Sequence, residues 1–362
     1  MKGSIQIAKF AGIPVKVHWS FLSILVWVVF EGRRNDMDWA WTGWFGLLIL
    51  TLFGCVVLHE YGHALSARRY GVDTKDIILS PIGGIARLNG LPEKPIHEFV
   101  VAIAGPLVNI FIAGVLGGVG WMSSTLHMNM EGSREIFGQP ENFLSLLFGL
   151  NIFLAVFNLV PAFPMDGGRI FRSLLSVKLG RLKATRIAAW IGQVISVGFF
   201  IMAFYANPMF ALVGIFVFYM ATQEYQMVKY EDTLKTKLVA EIMRPQFTAF
   251  QKIHNITLAV DEVKRGLEKD FIVIDEFGKI IGTLHENDIL IAAKKNDQVG
   301  TVANYMLTTS ERVSPDETLN SFYKKLQNTQ AYILPVFENE ILVGVLDIRQ
   351  LNDYLKLQQK LK

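Results

Sequence analysis

The residues best suited to chemistry are the five of His59-Glu60-Tyr61-Gly62-His63. On a helix, histidines four positions apart stack on one face, one turn above the other. Both rings then reach a single zinc ion, and Glu60 stands beside them to take a proton from water held there. The motif interrupts an apolar run, 43–67, where histidine and glutamate are expensive and mark function when they occur. A catalytic zinc takes a third protein ligand and keeps one position open. The best candidate is Asp166, in Asn158-Leu159-Val160-Pro161-Ala162-Phe163-Pro164-Met165-Asp166-Gly167-Gly168-Arg169, at the end of a second apolar run, 142–162. The competing role for Asp166 is a turn or helix-cap carboxylate in a Pro/Gly-rich loop. Cys55 shares the face of His59, but it is eight residues from His63, about 12 Å along a helix, so one ion does not take both. Packing is the better account of Cys55. His18, His97 and His127 fall near expected membrane surfaces and are assigned no chemistry.

Crossing a bilayer takes about 20 apolar residues. Six stretches qualify: 18–34, 43–67, 98–121, 142–162, 187–206 and 208–225, the last two parted by an Asn207-Pro208 turn. The 362 residues are 51% hydrophobic, with a mean hydropathy of +0.34, too apolar for an ordinary soluble enzyme. One side of the membrane would receive fourteen basic residues: Lys2, Lys9, Lys16, Arg68, Arg69, Lys75, Arg87, Lys94, Arg169, Arg172, Lys178, Arg181, Lys183 and Arg186. The other would receive Arg33, Arg34 and Arg134, with Trp39, Trp41 and Trp44 near that interface. This bias puts both termini in the cytoplasm. The second and fourth stretches run the same way, so His63 and Asp166 share a depth near the cytoplasmic edge, where water reaches. His63 is about 7.5 Å from Arg68 along the helix. No short apolar run with a small-residue cleavage site precedes the first stretch, so no cleaved signal peptide is expected. The net charge of +3 comes without a basic block interleaved with aromatics, which argues against nucleic acid. A single cysteine excludes an internal disulfide framework.

Past Lys229 the pattern changes to short β-branched runs and helical stretches. Phe271-Ile272-Val273-Ile274 and Ile280-Ile281-Gly282-Thr283-Leu284 flank a turn, and the layout returns in Ile333-Leu334-Pro335-Val336 and Ile341-Leu342-Val343-Gly344-Val345-Leu346. Each pair follows a matching leader, Val239-Ala240-Glu241-Ile242-Met243 and Val302-Ala303-Asn304-Tyr305-Met306. This is an internal repeat. It resembles a tandem cystathionine-β-synthase (CBS) domain pair over about 239–355.

The first 225 residues resemble the site-2 protease family of intramembrane metalloproteases, in its six-span branch with C-terminal CBS domains. The resemblance rests on His59-Glu60-Tyr61-Gly62-His63, on the Asn158-to-Gly167 motif, and on Ala104-Gly105-Pro106-Leu107-Val108-Asn109. It implies His59, His63 and Asp166 as zinc ligands, Glu60 as general base and Asn158 as a polar group near the substrate. Ser80 to Leu88 is too short to span but apolar enough to dip into the membrane. In the family a similar Gly-Gly segment offers an extended edge to substrate, which would involve Gly83 and Gly84; a surface turn is the competing reading. CBS pairs commonly bind adenine nucleotides, using an Asp after a Gly-hydrophobic-hydrophobic-Ser/Thr turn. Gly282-Thr283-Leu284-His285-Glu286-Asn287-Asp288 keeps the Asp but replaces Ser/Thr with His285, and Gly344-Val345-Leu346-Asp347-Ile348-Arg349-Gln350 departs at both positions. ATP or AMP through Asp288 is therefore expected, against a ligand-free dimerisation or substrate-docking module.

The expected fold is a polytopic α-helical membrane protein of about six transmembrane helices followed by a soluble α/β CBS-domain pair. Residues 1–225 form the transmembrane zinc metalloprotease domain, 226–238 a linker, and 239–362 the CBS pair, with repeats at about 239–295 and 300–355. The expected function is zinc-dependent hydrolysis of peptide bonds in membrane-embedded proteins near the cytoplasmic face of the cell (inner) membrane. Expected partners are a substrate with a transmembrane helix, the lipid bilayer, and further copies joined through the CBS domains. The alternative is a CBS-regulated transporter or metal carrier, against which Glu60 stands, since hydrolysis needs it and transport does not.

Overall fold

The computed structural model describes residues 3–36, 38–81, 83–90, 92, 94–123, 140–266, 268–295 and 297–360. Lys2, His127 and Arg134, named above, lie outside them, as does Ile82 within the stretch Ser80 to Leu88. The chain divides into two compact units, Met1–Gln226 and Met227–Lys362.

The first unit begins with strands β1 (Ser4–Phe10) and β2 (Ile13–His18), then helices α1 (Leu22–Arg34) and α2 (Trp39–Arg68), and strands β3 (Thr74–Ser80) and β4 (Gly83–Leu88). Helices α3 (Pro95–Met122), α4 (Phe143–Asn158), α5 (Asp166–Leu179), α6 (Arg181–Tyr205) and α7 (Met209–Thr236) follow, α7 running past the boundary between the units. Among the described residues, α2, α3 and α6 are long and apolar enough to cross a membrane, while α4 is a shorter apolar helix. The stretch 18–34 is helical over a shorter length than expected. Its start is taken by β2, which pairs with β3, and by a tight turn at Trp19–Phe21, leaving α1 with 13 residues. The stretch 142–162 likewise stops being helical at Asn158.

The four strands form one sheet in the order β1-β2-β3-β4. Hairpins join β1 to β2 and β3 to β4, and β2 runs parallel to β3. Buried Asp76 ties β2, β3 and β4 together: Lys16 Nζ donates to it at 2.7 Å and Arg87 Nε at 2.6 Å. The hydrogen bond from Arg87, then that from Lys16, holds its carboxyl down at about 2. Ile13, Val15 and Ile77 of the sheet pack against Tyr61 and Ala64 of α2. The Tyr61 hydroxyl also donates to the Ile13 carbonyl at 3.0 Å. At about 100° per residue, fixing Tyr61 toward the sheet turns His59 and His63 away from it, toward α3.

The second unit holds β5 (Ala249–Gln251), α8 (Ile256–Arg265), β6 (Asp270–Ile274), β7 (Ile280–His285) and α9 (Glu286–Lys294). Then come β8 (Leu307–Thr308), α10 (Leu319–Thr329), β9 (Ile333–Glu338), β10 (Ile341–Asp347) and α11 (Ile348–Lys360). The repeated sequence folds twice, with the leaders exchanged. Val239 packs in the core of Leu319, Phe322 and Leu346, whereas Val302 packs in that of Phe271, Leu284 and Ile289. Bridges Arg244 to Val345 and Asn255 to Thr301 follow the same crossing. Fully burying a side chain such as Val239 or Val302 contributes roughly 1.5–3 kcal/mol, so each leader stabilises the other repeat's core.

Candidate functional site

Helix α2 places His59 and His63 one turn apart, both buried. The chain after α4 folds back through buried Ala162, Phe163 and Met165 so that α5 begins at Asp166, a position where the helix dipole favours a carboxylate. Three atoms result that face one another: His59 Nε2 to His63 Nε2, His59 Nε2 to Asp166 Oδ2, and His63 Nε2 to Asp166 Oδ2 are each 3.1 Å. Among the described residues, this is the group of histidine, cysteine and acidic side chains arranged to hold a metal ion.

Hydrogen bonds outside this triangle decide which ring nitrogens are free. His59 Nδ1 donates to Asn109 Oδ1 at 2.5 Å, and His63 Nδ1 donates to the Val101 carbonyl at 2.8 Å. With each neutral ring's proton on Nδ1, both Nε2 atoms are acceptors, as is Asp166 Oδ2. Three acceptors converging without a donor repel one another unless a cation sits among them. The donor set of two imidazoles and a carboxylate suits zinc, and a tetrahedral ion with bonds of about 2.0–2.1 Å has ligand edges of about 3.3 Å, close to those seen. Gly105 supplies the room. A Cβ there would come within 2.6 Å of His59 Nε2 and closer still to His63.

Asn109 and Asn151, both completely buried, were given no role by the sequence. Asn109 Nδ2 donates to Asn151 Oδ1 at 2.9 Å, and Asn151 Nδ2 donates to the Leu147 carbonyl at 2.8 Å and toward Cys55 Sγ at 3.5 Å. This relay through α3 and α4 fixes the Asn109 amide, which in turn fixes the His59 tautomer. Asn109 sits in the quoted Ala104-to-Asn109 motif, the one signal that pointed near it. Cys55 is buried packing and a weak acceptor, away from the three ligand atoms.

A cavity of about 480 Å³ opens on this cluster, lined by His59, Glu60, His63, Gly83, Gly84, Ala86, Asn158, Asp166 and Arg169 among others. Glu60 Oε2 accepts from the Ala86 amide of β4 at 3.0 Å. Gly84 lets β4 approach, since a Cβ there would lie 2.9 Å from Glu60 Cγ. Gly83 adopts φ +123°, a conformation that side chains rarely take. Gly83–Leu88 is thus an edge strand beside the cavity, with β3 on its other side. Asn158, the last residue of α4, lines the cavity and makes no side-chain hydrogen bond with any described residue.

Asp288 lies in the first turn of α9, half-buried and without an ion pair among the described residues. His285 is engaged otherwise: its ring stacks on Tyr332 at 3.6 Å and pairs with Asp270.

A family model for peptidase family M50 matches residues 47–205, which contain His59, Glu60, His63 and Asp166. The zinc metalloprotease MJ0392 of Methanocaldococcus jannaschii is 34% identical over 367 residues, covering 100% of this chain and 100% of that protein. The chain belongs to peptidase family M50. It is a membrane-embedded zinc metalloprotease, as its motifs lead one to expect. A solved structure of the site-2 protease from Methanocaldococcus jannaschii is 38% identical, covers 61% of this chain and 95% of that one, and has a TM-score of 0.46. A CBS domain pair of protein MJ0100, solved with 5′-methylthioadenosine and S-adenosyl-L-methionine, is 19% identical, covers 34% of this chain and 98% of that one, and has a TM-score of 0.30.

Proposed function

We propose that this M50 protease cuts membrane-embedded proteins in the cavity beside β4, with zinc held by His59, His63 and Asp166. The observation that carries the reading is the convergence of three acceptor atoms at 3.1 Å, with Glu60 on the same helix turn. When bound, the zinc polarises the scissile carbonyl and acidifies a water molecule. Glu60 accepts the proton of the attacking water and passes it to the leaving amine. The Ala86 amide orients the Glu60 carboxylate, leaving its other oxygen for that work. A helical substrate hides its peptide bonds, so it must be unwound. The edge of β4 at Gly83 and Gly84 then holds the extended segment by main-chain hydrogen bonds, and Asn158 donates to a substrate carbonyl.

The six apolar stretches read as six spans, and the charge bias puts both termini on the cytoplasmic side of the cell (inner) membrane. The site then opens near the cytoplasmic face, where water is available. The second unit reads as a CBS pair that joins copies of the chain and binds ATP or AMP at Asp288, regulating proteolysis. Its support is the double repeat with exchanged leaders.

Cleavage of a transmembrane model substrate by purified wild type and Glu60→Gln, with bound zinc measured in both, tests the reading. The expected result is zinc in both and a rate at least about 10²-fold lower in the variant. Equal cleavage by the two would remove Glu60 as the base, and an inactive wild type with stoichiometric metal would favour the metal-carrier alternative.

A further inference from the structure

Two arginines one turn apart on α5 have opposite surroundings. Arg172 is fully buried and doubly paired: Nε donates to Glu98 Oε1 at 2.8 Å and Nη1 to Glu224 Oε1 at 2.8 Å. It also lies over the Phe163 ring, 5.0 Å from the centroid. Its role in joining α3, α5 and α7 is complete within the fold. Arg169 is half-buried, lines the catalytic cavity, and makes no hydrogen bond or ion pair with any described residue. Asp166 and Arg169 stand three apart on α5, so they share the face turned to that cavity.

With no hydrogen-bonded partner, the Arg169 guanidinium keeps its donors free for a ligand in the cavity. An intact substrate offers it only a neutral peptide bond. Hydrolysis offers an anion. The C–N bond breaks, a C–O bond forms, the water's protons pass to the departing amine, and the former carbonyl carbon leaves as a carboxylate. That anion appears within the cavity that Arg169 lines, and a planar guanidinium matches a carboxylate through two parallel N–H···O bonds.

We propose that Arg169 receives the carboxylate of the N-terminal product, making it a product-binding residue of the cavity. The proposal rests on the proteolytic reading given above. Arg169 discriminates between states of one polypeptide: it binds the cut chain end more tightly than the uncut chain, and it governs how that fragment leaves. Glu224, Asp166, Glu98 and Glu60 attract it through space, but none forms a hydrogen bond or ion pair with it, and Glu98 and Glu224 are held by Arg172. Glu60 is engaged by the Ala86 amide, and Asp166 faces the two histidines.

The test uses the full-length, zinc-loaded protein in detergent. Mass spectrometry of the wild-type reaction defines the N-terminal product of a transmembrane model substrate, which is then synthesised as free acid and as C-terminal amide. Binding of both peptides is measured by fluorescence anisotropy to wild type, Arg169→Gln and Arg169→Lys, alongside zinc content. The acid is expected to bind wild type more tightly than the amide. In Arg169→Gln that preference should fall by about ten- to a hundredfold, the range for a lost charge-assisted hydrogen bond, with Arg169→Lys keeping part of it. A preference in Arg169→Gln within about twofold of wild type, with zinc retained, overturns the proposal. Should Arg169→Gln shed zinc, Arg169→Lys decides: a surviving acid preference supports the proposal, and its complete loss with zinc bound overturns it. Wild type that leaves the substrate intact overturns the proteolytic reading and this proposal together, whereas cleavage with an unchanged preference overturns the proposal alone.

Discussion

The catalytic cavity and the junction between the two repeats of the second unit use the same kinds of side chain and treat them oppositely. At the junction, His285 stacks on Tyr332 and pairs with Asp270, Arg349 pairs with Glu286 at 3.1 Å, and Arg244 pairs with Asp347 at 3.3 Å. Asp347 also accepts from the Gln350 amide at 2.8 Å, starting α11. Each of these side chains has a partner within the unit, although Arg244 Nε has no hydrogen-bond partner among the described residues. In the cavity, His59, His63 and Asp166 turn three acceptors on one another, and Asn158 and Arg169 make no hydrogen bond with a described residue. Buried polar groups are normally paired, so a site where pairing is withheld is one prepared for something else.

That contrast can be broken most forcefully at Gly105. Gly105→Ala places a methyl group against the Nε2 atoms of His59 and His63. It should release most of the zinc and slow cleavage by at least about 10³-fold; full zinc content by elemental analysis would show that the convergence is not the metal site. Next in size is the support behind it. Asn109→Leu removes the acceptor that keeps the His59 proton on Nδ1, and competition with a chromogenic chelator should report zinc affinity about 10- to 100-fold weaker. Unchanged affinity would make the relay a packing feature. The smallest effect belongs to the junction. His285→Ala should cost about 0.5–1.5 kcal/mol through the lost ring stacking, read as a lower melting temperature, with zinc content unaltered. A junction variant that lost zinc would erase the distinction between the two regions.

The sequence made the cavity legible where its chemistry is local. His59, Glu60 and His63 lie within five residues, and helical periodicity alone aligns the two rings. Asp166 needed more, because 103 residues separate it from His63; a Pro/Gly-rich motif at the end of an apolar run marked it. The Asn109-Asn151 relay left little trace, since asparagines 42 residues apart make a pair only through the packing of α3 on α4. Gly105 was quoted as part of a motif, but its purpose, clearing space for two imidazoles, is a property of the helix contact and not of the chain. In the second unit the repeat was plain, while the exchange of leaders was not. A leader such as Val239 to Met243 has the same pattern whichever core it joins, so only packing against Leu319 and Phe322 reveals its partner. The opening strands β1 and β2 also escaped notice, because apolar composition near Ile13 and Val17 reads equally as the approach to a helix.

The central claim is that two imidazoles and one carboxylate hold the metal. X-ray absorption at the zinc edge of the purified, full-length protein tests it most directly. The account predicts one zinc per chain in a shell of light atoms at about 2.0–2.1 Å with the outer-shell scattering of two imidazole rings. A sulfur shell at about 2.3 Å, which would bring in Cys55, or a spectrum without imidazole scattering, would contradict it.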